Sequence, residues 1–238
     1  MTPSPTPAAS AFTLSIVIPV LNEASRMAAA LAALAPLAGN GAQVIVADGG
    51  STDATVSIAL ANHLPTITVI HCGKGRAVQM NAGAAHATGN AVLFLHADTV
   101  LPPDADALVQ KALASGQCVW GRFDVRIEGQ SRWLPVVSAL MNLRSRLTGI
   151  ATGDQAIFMT HAAYTAVRGY AVQPLMEDID MSRRLLKLSR PACLPQKVHT
   201  SGRRWDTRGA WRTIVLMWRL RYAYWRGMPP ERLAQLYK

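Results

Sequence analysis

The sequence predicts an α/β fold, a mostly parallel sheet flanked by helices. Three observations lead there. The runs LSIVIPV (14–20), QVIVA (43–47) and AVLFLHA (91–97) are short, aliphatic and β-branched, as strands buried on both faces are. Stretches with helical spacing of apolar residues separate them, the pattern of crossover connections between parallel strands. The chain has 238 residues, half of them hydrophobic, enough to bury one sizeable domain.

Each element has its own warrant. After strand 14–18, Asn22 is placed to cap a helix whose apolar positions recur at Met27, Leu31 and Leu34, and Pro36 with Gly39-Asn40-Gly41 should end it. Strand 43–47 runs into the turn Asp48–Asp53, then a helix over 54–63 and a strand over 66–70. A polar loop, 71–76, opens a helix over 77–87, and Gly89-Asn90 turns into strand 91–95. Pro102-Pro103 begins the next helix, with Asp104 and Asp106 where the helix dipole favours acids. Further on, 118–127, 156–160 and 192–200 read as strands, and 132–148, 176–188, 208–226 and 230–237 as helices.

Composition narrows the partners. Net charge is +10 and the isoelectric point about 10.2, a surface that attracts phosphates, nucleic acid or anionic lipid headgroups. Between Arg203 and Arg232 there are eight arginines against two acids, Asp206 and Glu231, so the basic character concentrates there. Cys72, Cys118 and Cys193 are widely spaced and odd in number, which suggests neither a metal motif nor a disulfide framework and fits a reduced, cytoplasmic setting. The opening residues show no basic and apolar leader pattern, and their Pro, Ser and Thr content reads as a disordered tail over 1–13. No apolar run reaches the roughly 20 residues a spanning helix needs. The closest, 213–225, is broken by Arg219 and Arg221.

Candidate functional residues cluster at strand ends. Ligands of open parallel sheets bind outside the carboxyl ends of the strands. If the three apolar runs are neighbours, one crevice collects Glu23, Asp48 and Asp98, a set suited to a base, a ribose and a metal. Asp48 is placed to accept from a ribose or base, and Ser51 or Asp53 to cap the next helix. Asp98 sits where a diphosphate would lie, and Mg²⁺ or Mn²⁺ favours carboxylate plus phosphate oxygen. His96, one residue inside the strand end, is a second donor or a packed histidine. Gly73-Lys74-Gly75-Arg76, with Asn81 beyond, precedes a helix N-terminus, a place that binds anions, though the Walker A spacing is missing. Glu177, Asp178 and Asp180 crowd one helix start, and Asp178 is the candidate general base. Arg203 and Arg204 suit a diphosphate, and Trp205 suits stacking on a sugar or base.

Together these pieces resemble the family 2 glycosyltransferases. The matching segments are Ile18-Pro19-Val20-Leu21-Asn22-Glu23, Asp48-Gly49-Gly50-Ser51-Thr52-Asp53, Leu95-His96-Ala97-Asp98, Glu177-Asp178 and Arg203-Arg204-Trp205, in the family's order. The compact form is also similar to a small bacterial subgroup found near radical-SAM genes and associated with arsenosugar biosynthesis. The family resemblance implies the A-type glycosyltransferase fold of nucleotide-diphospho-sugar transferases, a nucleotide-diphosphate sugar donor, a hydroxyl acceptor, Mg²⁺ or Mn²⁺, and inversion at the anomeric carbon. It implies that Pro19, Glu23 and Asp48 line the nucleoside pocket, with Asn22 beside them, and that Arg203 to Trp205 approach the diphosphate or the acceptor; Arg76 and Asn81, read from their loop and helix, are placed to reach the nucleotide. Asp98 would be the metal-binding acid of the Asp-x-Asp motif and Asp178 the base, with Asp154, Gln155 and Glu177 on the acceptor side. The sequence departs twice: His96 replaces the first acid of Asp-x-Asp, and Asp48-Gly49 replaces a pair of acids. The expected organisation is a nucleotide half over 14–100, an acceptor half over 101–205 and a basic Arg/Trp helical extension over 206–238.

Two rival readings compete with this one. A nucleotidyltransferase would carry a Gly-rich basic loop after the first strand, where this chain has Asn22-Glu23. A non-catalytic basic module on a nucleotide, RNA or a membrane surface draws on the Arg/Trp segment; no specific nucleic acid partner is expected. In that segment Trp211, Val215, Trp218 and Tyr222 recur at helical spacing. Docking against the domain is the favoured use of this stripe, and peripheral contact with an anionic membrane the other.

Overall fold

The computed structural model describes residues 12–237, with the side chains of Arg204, Arg208 and Ala210 outside the described set. The expected tail thus lies almost wholly outside it. Strands β1 (Leu14–Val20), β2 (Gln43–Asp48), β3 (Ile67–His71) and β4 (Ala91–Phe94) pair in parallel in the order β3-β2-β1-β4. Their middle residues, Ile16 to Ile18, Val44 to Val46 and Val92 to Leu93, are completely buried, because helices cover both faces. Helices α1 (Ala24–Gly39), α2 (Thr55–Leu60) and α3 (Arg76–Ala85) make the crossovers. The chain leaves β1 toward β2 on one side and returns to β4 on the other, so a topological switch point opens at the carboxyl ends of β1 and β4.

The rest of the sheet is mixed. Beyond β4 the order continues through β7 (Phe158–Thr160), β6 (Trp120–Glu128), β8 (Ala192–Ser201) and β5 (Thr99–Val100), with antiparallel pairing everywhere except β6 with β8. Strand β5 follows β4 after only Leu95–Asp98, yet it pairs with the far-edge strand β8. The second half of the sheet therefore curls round until its outer edge returns beside the end of β4. Beyond β5, helix α4 (Ala105–Ala114) buries Val109 and Leu113.

β6 needs an unusual partner. Its ladder with β7 covers only Trp120 and Gly121, so the amides further along would be orphaned. Helix α5 (Leu134–Thr148) supplies the missing bonds from side chains. Asn142 accepts from Val125 N at 2.9 Å and donates to Val125 O at 3.0 Å, and the Ser138 hydroxyl accepts from Ile127 N at 3.0 Å.

Helices α6 (His161–Ala166) and α7 (Glu177–Leu185) follow β7, and α8 (Arg203–Arg208), α9 (Ala210–Trp225) and α10 (Pro230–Tyr237) follow β8. Leu220 and Leu233 pack with Met176 and Ile179, which fastens α9 and α10 to the start of α7.

Several local expectations change. Pro36 lies inside α1, since the last turn still closes through Asn40 N to Pro36 O at 3.1 Å and Ala42 N to Leu37 O at 2.9 Å. Asn22 does not cap α1. Its backbone is left-handed (φ 56°), a conformation asparagine tolerates, and its side chain accepts from Thr52 N at 2.8 Å. The cap comes from the neighbouring turn after β2, where Asp53 accepts from Ala24 N at 3.1 Å. Strand β5, helix α6 and a 3₁₀ turn at Gly153–Gln155 went unread because each is too short to show a period. Residues 203–208 are helical.

Candidate active site

A cleft of about 960 Å³ opens at the switch point. β1 brings Pro19 and, just beyond, Glu23; the start of α3 brings Arg76; the end of β4 brings His96 and Asp98. From the acceptor half come Asp154 of the 3₁₀ turn, Glu177 and Asp178 of α7, and Arg203 and Trp205 of α8. Ten of the residues singled out in the sequence thus share one cleft.

Two loops set the geometry of its floor. Gly153 N donates to Asp178 Oδ2 at 2.8 Å, and His96 Nδ1 stands 3.2 Å from Asp154 Oδ1. A Cβ on Gly153 would lie 2.4 Å from His96 Nε2 and 3.6 Å from Asp178 Oδ2, so only glycine lets the turn pass between these side chains. Met176, immediately before α7, has a left-handed backbone (φ 67°), as does Ala156 after the 3₁₀ turn (φ 47°). Non-glycine residues there cost of order 1–3 kcal/mol, and such strain gathers where structure positions functional groups.

The acids are not equivalent. Asp178 is half-buried and faces the cleft, whereas Glu177 is 4% exposed. Burial, reinforced by the neighbouring Asp178 charge, pushes the Glu177 carboxyl up to about 7, and Arg76, 3.5 Å from Glu177 Oε1, pulls in the other direction. Arg76 loses hydration, yet Glu177, Asp178 and Asp154 around it hold its proton more tightly than usual. Asp180 turns away to Arg184, with Oδ2 2.8 Å from Nε, and Arg184 is in turn tied to the Gly169 carbonyl at 2.6 Å.

Four expected contacts do not reach the cleft wall. Asn22 holds the 48–53 turn, as described above. Asp48 is 1% exposed, and its carboxylate accepts from Gly50 N and Ser51 N at 3.1 Å, with His71 Nδ1 at 3.3 Å. Burial opposes its charge, but the bonds from Ser51 and Gly50 win and hold it below the usual carboxylate range. Asn81 lies on the far side of α3. It receives the Tyr164 hydroxyl at 2.7 Å and Tyr170 N at 2.8 Å and donates to Tyr170 O at 2.8 Å, so it joins α3 to the 164–170 segment. Gln155 is fully buried, donating to Ser145 Oγ at 3.1 Å and Asn142 Oδ1 at 3.3 Å, and it positions the 3₁₀ turn instead of meeting an acceptor. The Arg204 side chain is outside the described residues.

Three further residues carry no signal in the sequence. Gln79, buried in α3, donates to Val20 O at 2.7 Å and Ala47 O at 3.0 Å, tying the ends of β1 and β2 together. Arg144 of α5 and Arg221 of α9 also line the cleft. No helical or strand period marks a polar residue that works from the edge of a stripe.

Residues 15–174 match the profile of glycosyl transferase family 2. The chain belongs to that family. Among curated relatives, the PGL/p-HBAD biosynthesis glycosyltransferase of Mycobacterium tuberculosis is 38% identical over 107 residues, 43% of this chain and 41% of that protein. The succinoglycan biosynthesis protein ExoA of Rhizobium meliloti is 38% identical over 108 residues, 42% of this chain and 33% of that one. The chain therefore spans less than half the length of these relatives. The mannosyltransferase PcManGT of Pyrobaculum calidifontis, solved in complex with GDP-Man and Mn²⁺, superposes with a TM-score of 0.66 at 22% identity, covering 88% of this chain and 60% of that one. TarS of S. aureus in complex with UDP-GlcNAc gives 0.64 at 15% identity, covering 80% and 58%. The family 2 chain thus has the A-type glycosyltransferase fold.

The raised Glu177 carboxyl makes stability depend on pH. Between its ordinary value of 4.5 and about 7 the folded state holds a proton that the unfolded state has released, so stability falls as pH rises through that window. Thermal melts of wild type and Glu177→Gln in metal-free buffer should nearly coincide at pH 5 and separate by pH 8, the variant being the more stable. Parallel curves would mean that Glu177 is ionised throughout.

Proposed function

We propose that the chain is an inverting glycosyltransferase that moves a sugar from a nucleotide-diphosphate donor to an acceptor hydroxyl with a divalent metal. One observation carries the reading: Asp98 and Asp178, from opposite halves of the chain, line a single cleft at the switch point with Glu23 and Arg76. Family membership supports the reaction class, and the complexes of the two fold relatives, with GDP-Man and UDP-GlcNAc, support a nucleotide-sugar donor.

The residues fit a metal shared with substrate. Among the described residues no group of three or more His, Cys, Asp or Glu forms a cation cage. Mg²⁺ is commonly held by one or two carboxylates plus substrate phosphates, and Asp98 offers such a carboxylate, with His96 as a second donor. When bound, the metal would offset the charge that develops on the diphosphate.

In the proposed reaction, Pro19 and Glu23 hold the nucleoside side of the donor. Asp178, oriented by Gly153 N, takes the proton from the acceptor hydroxyl while that oxygen attacks the anomeric carbon. The bond from the anomeric carbon to the diphosphate breaks, and its electron pair leaves with the diphosphate. A single in-line displacement inverts the centre. Arg76 and Arg203 lie where their charge can stabilise the departing diphosphate. The cytoplasmic setting and the arsenosugar-associated subgroup belong to the same proposal and rest on the sequence alone.

We also propose peripheral contact with anionic membrane through α9. The sequence favours docking of the Trp211, Val215, Trp218, Tyr222 stripe, continued by Trp225, against the domain; Trp211 does meet Trp133, with ring centroids 5.2 Å apart, and most of the stripe's surface stays open. Each residue of the stripe is at least half exposed, with Arg212, Arg219 and Arg226 also exposed beside them, while the opposite face docks through Leu220. Among the described residues no helix is long and apolar enough to cross a membrane. An apolar stripe edged by arginines suits the headgroup layer.

Three outcomes are expected. In thermal melts against nucleotide diphosphates and their sugars, one nucleotide should raise the midpoint only with Mn²⁺ or Mg²⁺, and Asp98→Ala should abolish the shift. No shift with any of them would overturn the donor assignment. Asp178→Asn should lower turnover by about 100-fold or more with donor binding little changed; near-normal turnover would remove Asp178 as the base. The protein should sediment with vesicles containing anionic lipid and not with neutral ones, and Trp218→Ser with Trp225→Ser should weaken that binding.

A further inference from the structure

The cleft has two chemically different ends. The inner end holds Glu23, Asp98, Glu177 and Asp178 with Arg76. The outer end runs between α5 and α9, where Leu140, Met141, Met217 and Trp218 form an apolar wall that also contains Arg144 and Arg221. Leu140 and Trp218 are 54% and 67% exposed, so this end opens to the outside, next to the edge-on pair of Trp133 and Trp211 with ring centroids 5.2 Å apart.

Among the described residues the two arginines have no acidic partner. Arg144 Nε and Nη2 are shielded from solvent and have no hydrogen-bond partner. Neither Arg144 nor Arg221 stands within 4 Å of a carboxylate among the described residues, whereas Arg76 and His96, also on the cleft wall, each have an acidic neighbour. Burial, with no acid to oppose it, lowers the Arg221 pKa. Guanidinium groups removed from water without a partner are costly, and an oxyanion satisfies them with two-pronged, charge-assisted bonds. An apolar wall on either side adds a preference for a ligand with a hydrocarbon part next to the anion.

We propose that the outer end of the cleft is an acceptor subsite for a phosphate-class anion: Arg144 and Arg221 bind the anionic group, and Leu140, Met217 and Trp218 the apolar segment beside it. The inference rests on the glycosyltransferase reading and extends it from "a hydroxyl" to a hydroxyl borne by an anionic amphiphile. The anion is a recognition element near the attacking hydroxyl, not the attacking group. A phosphate ester drawn from a lipid surface and a soluble phosphate monoester share the headgroup chemistry, and the apolar wall selects the first.

Calorimetric titration of the full chain tests this with decyl phosphate, a neutral decyl glucoside, glycerol phosphate and inorganic phosphate, all below the micellar range. Decyl phosphate should bind at least about tenfold more tightly than each of the others, since charge-assisted bonds and apolar burial each contribute on that scale. Arg144→Met and Arg221→Met should each lower decyl phosphate affinity about tenfold, with Arg144→Lys losing less than Arg144→Met. Equal binding of the neutral glucoside, or unchanged affinity in the Met variants, would overturn the anion subsite. Equal binding of inorganic or glycerol phosphate would overturn the amphiphile. Metal-dependent nucleotide diphosphate binding, measured on the same samples, checks that each variant is folded and separates the two readings. Its presence in wild type without selective decyl phosphate binding sinks this inference alone. Its absence alongside selective decyl phosphate binding sinks the transferase reading and leaves the anion site standing.

Discussion

A four-residue connection, Leu95–Asp98, ties the middle of the sheet to its outer edge, and the geometry of the cleft depends on it. So short a link leaves β5 no choice but to lie beside the end of β4, and pairing with β8 then bends the mixed half of the sheet into a curl. The closure is sealed by the buried bond between the Thr99 and Thr200 hydroxyls at 2.9 Å and by Ser201 N on the Asp98 carbonyl at 3.3 Å. Asp98 thereby stands at a junction, with the nucleotide-side strands on one hand and the start of α8 on the other. Arg203 and Trp205, a hundred residues downstream, enter the same cleft for that reason.

The buried polar network of the second half serves the same end. α5 pairs its Asn142 and Ser138 with the backbone of β6, and Gln155 reaches from the 3₁₀ turn to Asn142 and Ser145. Unsatisfied, each of these groups would cost of order 1–3 kcal/mol in the interior. Satisfied, they fix the turn so that Gly153 passes between His96 and Asp178 and its amide meets the Asp178 carboxylate. The position of the candidate base is thus set by a chain of hydrogen bonds that begins on a strand edge.

Charge is distributed to match. The net charge of +10 does not sit evenly over the surface. Inside the cleft, acids surround Arg76 and keep it paired, while Arg144 and Arg221 have no acid near them among the described residues. Outside, α9 presents tryptophans and arginines together.

How much of this was legible in the sequence follows from range. The four parallel strands and their helices were, because burial on both faces writes a local signature and crossover helices keep a 3.6-residue period. Asp98, Asp178, Glu23 and Arg76 were also legible as candidates, since charged residues at the ends of apolar runs stand out without any knowledge of neighbours. The curl of the sheet, the antiparallel β7 and the two-residue β5 were not, for pairing partners lie 60 to 100 residues away and leave no mark in a local window. Nor did the sequence tell which polar residues face the cleft: Asp48, Asn81 and Gln155 have the right chemistry, but backbone amides, tyrosines and a facing helix consume their hydrogen bonds first. Likewise the tryptophan stripe of α9 announced a helix with an apolar face, and only packing decided that Leu220, not Trp218, would turn inward. The sequence determined the strands, their helices and the charged residues at their ends. The tertiary structure decided which of those charges meet, because each side chain's partner is fixed by long-range pairing and by competition for a limited set of buried hydrogen bonds.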